Sequence, residues 1–260
     1  MGPNPTPPDL EHLDAAGVLQ VALDALGRDR LAIASSFGPE DIVLIDLLAS
    51  LTDRPRVFTL DTGRLPQETY DLMDQVRRRF GIEIEVFFPD AVSVEGMVVR
   101  KGLNLFYDSV ENRRECCHVR KVEPLARALA TVDGWVTGLR RDQVATRAGV
   151  AKAEPDPARP GVWKVAPLAD WTSERVWAYI RDRDLPYNAL HDRGYPSIGC
   201  APCTRAIEPG EDERAGRWWW EQGSVAECGI HFDPRSGKMV RTRIPEPVAG
   251  PFDELRGGTP

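Results

Sequence analysis

No stretch of this 260-residue chain stays apolar long enough to cross a bilayer; the longest run, Ile42 to Leu51, is interrupted by Asp46. Met1 to Asp9 is rich in proline and holds neither a basic start nor an apolar run, which excludes a secretory signal of the usual kind. A cytoplasmic protein with no membrane partner is therefore expected. Basic residues are in deficit, 33 against 40 acidic, for a net charge of −7. A protein held on duplex nucleic acid through phosphate contacts is ordinarily basic, so no nucleic-acid partner is expected, and an anionic small ligand would need cations converging locally. No internal repeat is visible. Cysteine is scarce, and its count of five is odd. Since a reducing compartment disfavours structural disulfides, the spacing of these five is read first for metal or redox chemistry.

What remains is an ordinary globular composition, 42% hydrophobic and 28% charged, sufficient for one sizeable core. Apolar residues at helical spacing mark His12 to Leu26, Glu40 to Leu51 and Pro66 to Phe80, the last with proline at its start. Between them lie short apolar runs that read as strands: Leu31 to Ala34, Arg56 to Leu60, Ile82 to Phe88 and Trp135 to Gly138. Thr172 to Asp182 reads as a further helix capped by Thr172. This alternation predicts an α/β fold with a mostly parallel sheet and helices on both faces. Ligands of such sheets sit beyond the C-terminal strand ends, which puts Ser35 to Asp41, Asp61 to Arg64 and Gly138 to Asp142 on one rim. Pro155 to Gly161 reads as a proline-rich loop. Residues 1–232 are expected to form one domain with a flexible start over 1–10, and 233–260 a weakly ordered tail rich in Pro, Gly and Arg.

The cysteines fall as Cys116-Cys117, Cys200-x-x-Cys203 and Cys228. A Cys-x-x-Cys pair turns two thiolates toward one centre, as zinc and iron–sulfur sites both require. Adjacent cysteines diverge, which suits a cube of four irons better than one tetrahedral ion. A zinc staple, or two buried thiols beside a redox pair, are the alternatives. If four are ligands, Cys228 is left over. A single reactive thiol can form a covalent adduct but has no intrachain partner to resolve it, so an external dithiol would close the cycle. An inert buried cysteine is the bland alternative.

The stretches Ser35-Ser36-Phe37-Gly38-Pro39-Glu40-Asp41, Leu60-Asp61-Thr62-Gly63-Arg64, Cys116-Cys117-His118-Val119-Arg120-Lys121, Thr137-Gly138-Leu139-Arg140-Arg141, Gly199-Cys200-Ala201-Pro202-Cys203-Thr204, Arg214-Ala215-Gly216-Arg217-Trp218-Trp219 and Glu227-Cys228-Gly229-Ile230-His231 resemble, in order, the assimilatory sulfonucleotide reductases, and among them the iron–sulfur adenylylsulfate (APS) reductases. The paired cysteines together with Cys-Ala-Pro-Cys are the specific part; the first loop alone is weak.

The resemblance implies an adenine nucleotide α-hydrolase-like fold, a [4Fe-4S] cluster on Cys116, Cys117, Cys200 and Cys203, and reduction of APS by thioredoxin to sulfite and AMP through an S-sulfonate on Cys228. The alternative substrate is the 3′-phosphorylated PAPS, giving adenosine 3′,5′-bisphosphate; relatives without the cluster cysteines use it, so the full set favours APS. Lys121 is implied to lie between cluster and substrate, and Arg214 and Arg217, on one face if that segment is helical, to meet the substrate anions. Ser35, Ser36 and Gly38 are expected to cradle the AMP phosphate or ribose through backbone donors. At least one of Arg140 and Arg141 is expected at the ligand. His231 is a candidate substrate contact or a structural histidine. Asp61 and Glu40 are candidates for ribose hydroxyls or helix caps, with capping favoured for Glu40 and Asp41.

Two features depart from the family pattern. The first loop is a degraded Ser-Gly-Gly-x-Asp-Ser pyrophosphatase loop, which disfavours ATP splitting, and residues 233–260 run past the point where many relatives stop. A tRNA-thiolating ligase is disfavoured on the same loop and on the acidic charge. A non-catalytic zinc- or cluster-stabilised protein is the third reading.

Overall fold

The computed structural model describes residues 6–143 and 147–221. Its centre is a six-stranded sheet built from β1 (Leu31–Ser35), β2 (Val57–Leu60), β3 (Ile84–Phe87), β4 (Gly134–Val136), β5 (Ala153–Pro155) and β6 (Trp163–Val165), in the order β3-β2-β1-β4-β6-β5. Every pairing is parallel except the last, where β5 runs antiparallel to β6. The loop read over Pro155 to Gly161 thus begins inside a strand; Pro155 is tolerated there because β5 is an edge.

Strand residues alternate between two apolar layers, as the two-residue period of a strand demands. Leu31, Ile33, Val57, Val136, Trp163 and Val165 face one cluster that includes residues of α1 (Ala15–Leu26), α2 (Pro39–Leu51), α3 (Gln67–Phe80) and α7 (Ser173–Asp182). Ala32, Phe58 and Trp135 face the other, with Leu125, Ala128 and Leu129 of α6 (Glu123–Leu129). Helices therefore cover both faces. No helix among the described residues is long and apolar enough to cross a membrane.

The caps follow the chemistry of the chain. Asp14 accepts from the Gly17 N–H at 2.8 Å to start α1, and Thr172 accepts from the Arg175 N–H at 3.3 Å to start α7. α4 (Ala91–Lys101) and α5 (Val110–Cys117) carry the chain over the rim, starting at Asp90 and Ser109. α5 runs into a widened π turn, His118–Val122, before α6 continues. Such turns insert an extra residue into the helix and cluster at functional sites.

Candidate active site

β1 pairs with β2 on one side and β4 on the other, so consecutive connections leave in opposite directions at its C-terminal end. That switch point opens a crevice. A cavity of about 320 Å³ lies there, walled by the loop after β1 (Ser35, Ser36, Gly38, Glu40, Asp41), the loop after β4 (Thr137, Gly138, Arg140, Gln143, Arg147), Lys121, and a distant segment that brings Arg214, Arg217 and Trp218.

The β1 loop is tied to itself. Asp41 Oδ2 accepts from the Ser36 N–H at 2.7 Å, the Ser36 hydroxyl at 2.9 Å and the Gly38 N–H at 3.2 Å, while the Phe37 N–H donates to Ser35 Oγ at 3.0 Å. Phe37 holds a left-handed φ of 60° and is buried, which turns the loop sharply enough for these bonds. The carboxylate thus occupies the donors that an anion-binding loop would present. Ser35, Ser36 and Gly38 do line the cavity, but their backbone N–H groups, expected to cradle a phosphate, are engaged internally or turned to Asp41. Gly138 is required by this packing: a Cβ there would sit 2.7 Å from Glu40 Cβ and 2.9 Å from Asp41 Oδ1.

Burial, and next the neighbouring Glu40 charge, push the Asp41 carboxyl up from 3.8 to about 6, against the pull of its Ser36 and Gly38 donors. A carboxyl whose pKa rises on folding is stabilising while protonated, and that contribution is lost as pH climbs from its unfolded value through about 6. Asp41→Asn is therefore expected to gain on the parent as pH rises, by about 1–2 kcal/mol between pH ~5 and ~7.5. Thermal melts of both proteins at the two pH values check this; a difference independent of pH would contradict it.

Arg140 is buried and gives its Nε to Glu40 Oε1 at 2.8 Å and its Nη1 to Asp142. Gln143 Nε2 reaches the same Glu40 oxygen at 3.1 Å, and Arg147 bonds Gln143. Glu40 is thus an ion-pair acceptor rather than the helix cap expected of it. Asp41, three residues into α2, takes the capping role instead. Arg141 turns away: its Nε donates to the Val150 carbonyl at 2.8 Å and its Nη2 to Glu11 at 2.6 Å, so Arg140 alone of the pair faces the cavity.

A second, smaller cavity is ringed by Cys116, Cys117, Cys200 and Cys203 together with Arg64, Arg113, Arg120 and Lys121. All four cysteines are free thiols. The first two end α5; the others flank a tight turn in which the Cys203 N–H bonds the Cys200 carbonyl at 2.9 Å. The loop after β2 serves this site rather than the larger one. Thr62 Oγ1 lies 3.2 Å from Cys200 Sγ, Arg120 Nη1 donates to the Thr62 carbonyl at 2.7 Å, and the Ala201 N–H donates to the Arg64 carbonyl at 2.8 Å. Asp61, expected at the ligand, is spent on that loop: Oδ1 accepts from the Gly63 N–H at 2.7 Å and from the Tyr70 hydroxyl at 2.9 Å. Burial raises the Cys116 pKa and pushes Cys203 up to about 12, so as bare thiols both are protonated and weakly nucleophilic at neutral pH.

Lys121, on the widened turn, stands in the wall of both cavities. Cys228 and His231 lie outside the described residues.

Residues 30–206 match the model of the phosphoadenosine phosphosulfate reductase domain. The adenosine 5′-phosphosulfate reductase of Burkholderia cepacia is 55% identical over 205 residues, 79% of this chain and 82% of that one. The chain belongs to the phosphoadenosine phosphosulfate reductase family. Among solved structures, the phosphoadenylyl-sulfate reductase of Candida auris, a phosphate complex, superposes with a TM-score of 0.65 at 27% identity, over 76% of this chain and 92% of that one. A point mutant of the FMN adenylyltransferase of Candida glabrata superposes at 0.53 with 13% identity, over 76% and 66%, which speaks to the fold alone and places it with the adenine nucleotide α-hydrolase-like sheets.

Two wall residues of this reductase carry no motif in the sequence. Trp177 and His191 stand edge to face, ring centroids 5.1 Å apart, at the larger cavity. Both His191 ring nitrogens are buried without a hydrogen-bond partner among the described residues, and burial lowers its pKa, keeping the imidazole neutral. No motif flags them: Trp177 lies on α7 as one more apolar residue of the helix, and His191 sits in a short turn. Arg214 and Arg217 both reach the cavity although their segment is not helical. Tight turns carry them, with the Ala215 N–H on the Asp212 carbonyl and the Arg217 N–H on the Arg214 carbonyl, each at 2.9 Å.

Proposed function

We propose that this reductase converts APS to sulfite and AMP with electrons from thioredoxin or a similar dithiol, through an S-sulfonate on Cys228 and beside a [4Fe-4S] cluster held by Cys116, Cys117, Cys200 and Cys203. The observation that carries the reading is the adjacency of two cavities, one walled by cations drawn from three parts of the chain and one ringed by four thiols, with Lys121 common to both.

The thiol site suits such a cluster by its donor set. Four soft sulfur ligands surround one space, while no group of three or more His, Cys, Asp or Glu among the described residues is arranged to hold a single metal ion. Two buried donors nearby have no hydrogen-bond partner among the described residues: Arg120 Nε, and the indole N–H of Trp218, which packs in the same apolar cluster as Cys116 and Cys203. Sulfide or thiolate acceptors would satisfy them. When bound, the cluster supplies a fixed charge and ties α5 to the 200–203 turn; two thiols already provide both electrons.

Lys121, Arg214 and Arg217 line the larger cavity and are the cations that would meet the phosphate and sulfate. The nucleoside then lies toward the strand ends. The Cys228 thiolate attacks the sulfate sulfur, the S–O bond to AMP breaks, and AMP leaves with that electron pair. A thiolate of the dithiol next attacks the Cys228 sulfur and expels sulfite; its second thiolate resolves the mixed disulfide and restores Cys228.

Incubated with APS and no reductant, the protein should gain one SO₃, mapped by mass spectrometry to the Cys228 peptide. No adduct, or one on another residue, defeats the scheme. The PAPS reading is kept because the domain description and the Candida auris structure name that substrate. Relatives above 50% identity named for APS, those of Burkholderia cepacia and Allochromatium vinosum, favour the first. Comparing kcat/KM on the two nucleotides decides between them.

A further inference from the structure

Arg217 is the cavity cation whose surroundings are most fully built. A Cβ on Gly199 would overlap its guanidinium, so the chain leaves that position bare for it. Its hydrogen bonds to Ser197 Oγ and the Ile198 carbonyl are long, 3.3 Å each. The Trp218 ring is a further constraint, its centroid 4.7 Å from the Arg217 guanidinium carbon. A second guanidinium, that of Arg113, lies over the same indole, also at 4.7 Å. Arg113 is itself fixed by a two-pronged pair with Glu221, Nε to Oε1 at 2.7 Å and Nη2 to Oε2 at 2.9 Å, and both side chains are almost fully buried, 4% and 3% exposed.

Trp218 adopts a left-handed φ of 46°, a conformation that non-glycine residues take only where the surroundings dictate it. The backbone holds it there. Its N–H donates to the Cys203 carbonyl at 3.3 Å, and Thr204 bridges to Arg217.

We propose that Trp218, anchored through the buried Arg113–Glu221 pair, is a positioning residue that aims the Arg217 guanidinium at the ligand anion. An aromatic face restrains a guanidinium from above its plane and itself takes no N–H donor, so the direction of the charge is set in advance. Arg113 serves as the fixed end of the stack, because its own charge is matched by Glu221. This rests on the reading above that Arg217 meets a substrate anion.

The test is anaerobic calorimetry of APS binding to the full chain carrying Cys228→Ser, with iron content measured for every variant. Arg217→Ala sets the scale and should weaken binding about 30-fold or more. Trp218→Ala should weaken it about tenfold, Trp218→Phe no more than about threefold, and Glu221→Gln about threefold to tenfold, each compared on protein of equal iron content. In the Arg217→Ala background the Trp218 and Glu221 changes should each add less than about twofold, since the route through Arg217 is gone. Parent-like affinity in Trp218→Ala, or a loss that adds in full to that of Arg217→Ala, overturns the proposal. Should Trp218→Ala fail to fold, Glu221→Gln decides alone: unaltered affinity overturns it. If Arg217→Ala itself binds APS normally, the assignment of Arg217 to the substrate anion is what has failed, and the stack falls with it.

Discussion

Cys228→Ser should cut sulfite formation from APS by about 10⁴-fold or more while leaving bound iron at the parental level, whereas Cys203→Ser should lose the iron itself. The contrast follows from where the sulfurs are. Four of the five cysteines line one small cavity as free thiols, and burial drives up the pKa values of Cys116 and Cys203, which makes those two poor nucleophiles. The reaction needs a thiolate, and a serine hydroxyl at neutral pH offers almost no alkoxide. Removing a nucleophile altogether is among the most damaging changes an active site can suffer. Sulfite release with thioredoxin as reductant, and colorimetric iron on the same preparations, give both readings. Retention of more than a few per cent of turnover by Cys228→Ser, or of full iron by Cys203→Ser, would separate the thiols in a way this division of roles does not allow.

Lys121→Met is expected to lower kcat/KM for APS by about 10²–10³-fold with iron retained. Methionine keeps much of the stem volume and removes only the charge. That charge stands in the wall of both cavities, with four sulfurs on one side and the proposed anion site on the other, and loss of one cation facing developing negative charge costs about 3–4 kcal/mol. The widened turn matters to this placement. In a regular helix, successive residues point about 100° apart, so Cys116 and Cys117 diverge; the π turn that starts at His118 shifts the following residues in phase and lets Lys121 share the wall with both. Steady-state kinetics on iron-replete protein measure the effect, and a loss under about fivefold would place Lys121 outside the chemistry.

Much of the architecture was legible because it rests on periodicity. The strands β1 to β4 and the helices α1, α2, α3 and α7 alternate apolar patterns with clear stops, and parallel pairing with the crevice at the end of β1 follows from that alternation. β5 and β6 were not legible: each has three residues, one contains a proline and the other a buried Lys164 paired with Glu154 at 2.7 Å, so neither reads as apolar alternation. α5 and the π turn escaped because charges crowd that stretch, and α4 because its valines form no clean stripe and it buries only Gly96 and Met97. At the site, residue identity was readable and side-chain direction was not. Arg140 and Arg141 are adjacent and chemically equal in the sequence; only the fold turns one inward and the other to Glu11. Asp61 in its loop and Asp41 in the first turn of α2 are both carboxylates near strand ends, and both prove to be partners of nearby backbone.

The four-thiol cavity draws together two parts of the chain that lie far apart in sequence, the end of α5 at Cys117 and the turn at Cys200. A shared inorganic tether there would be a cross-link in the polymer sense, closing a loop whose entropy in the unfolded chain is worth on the order of 4 kcal/mol. Oxidative loss of that tether would then register as lowered melting temperature and faster proteolysis before any defect in chemistry were measured, making air exposure a matter of fold survival for this protein.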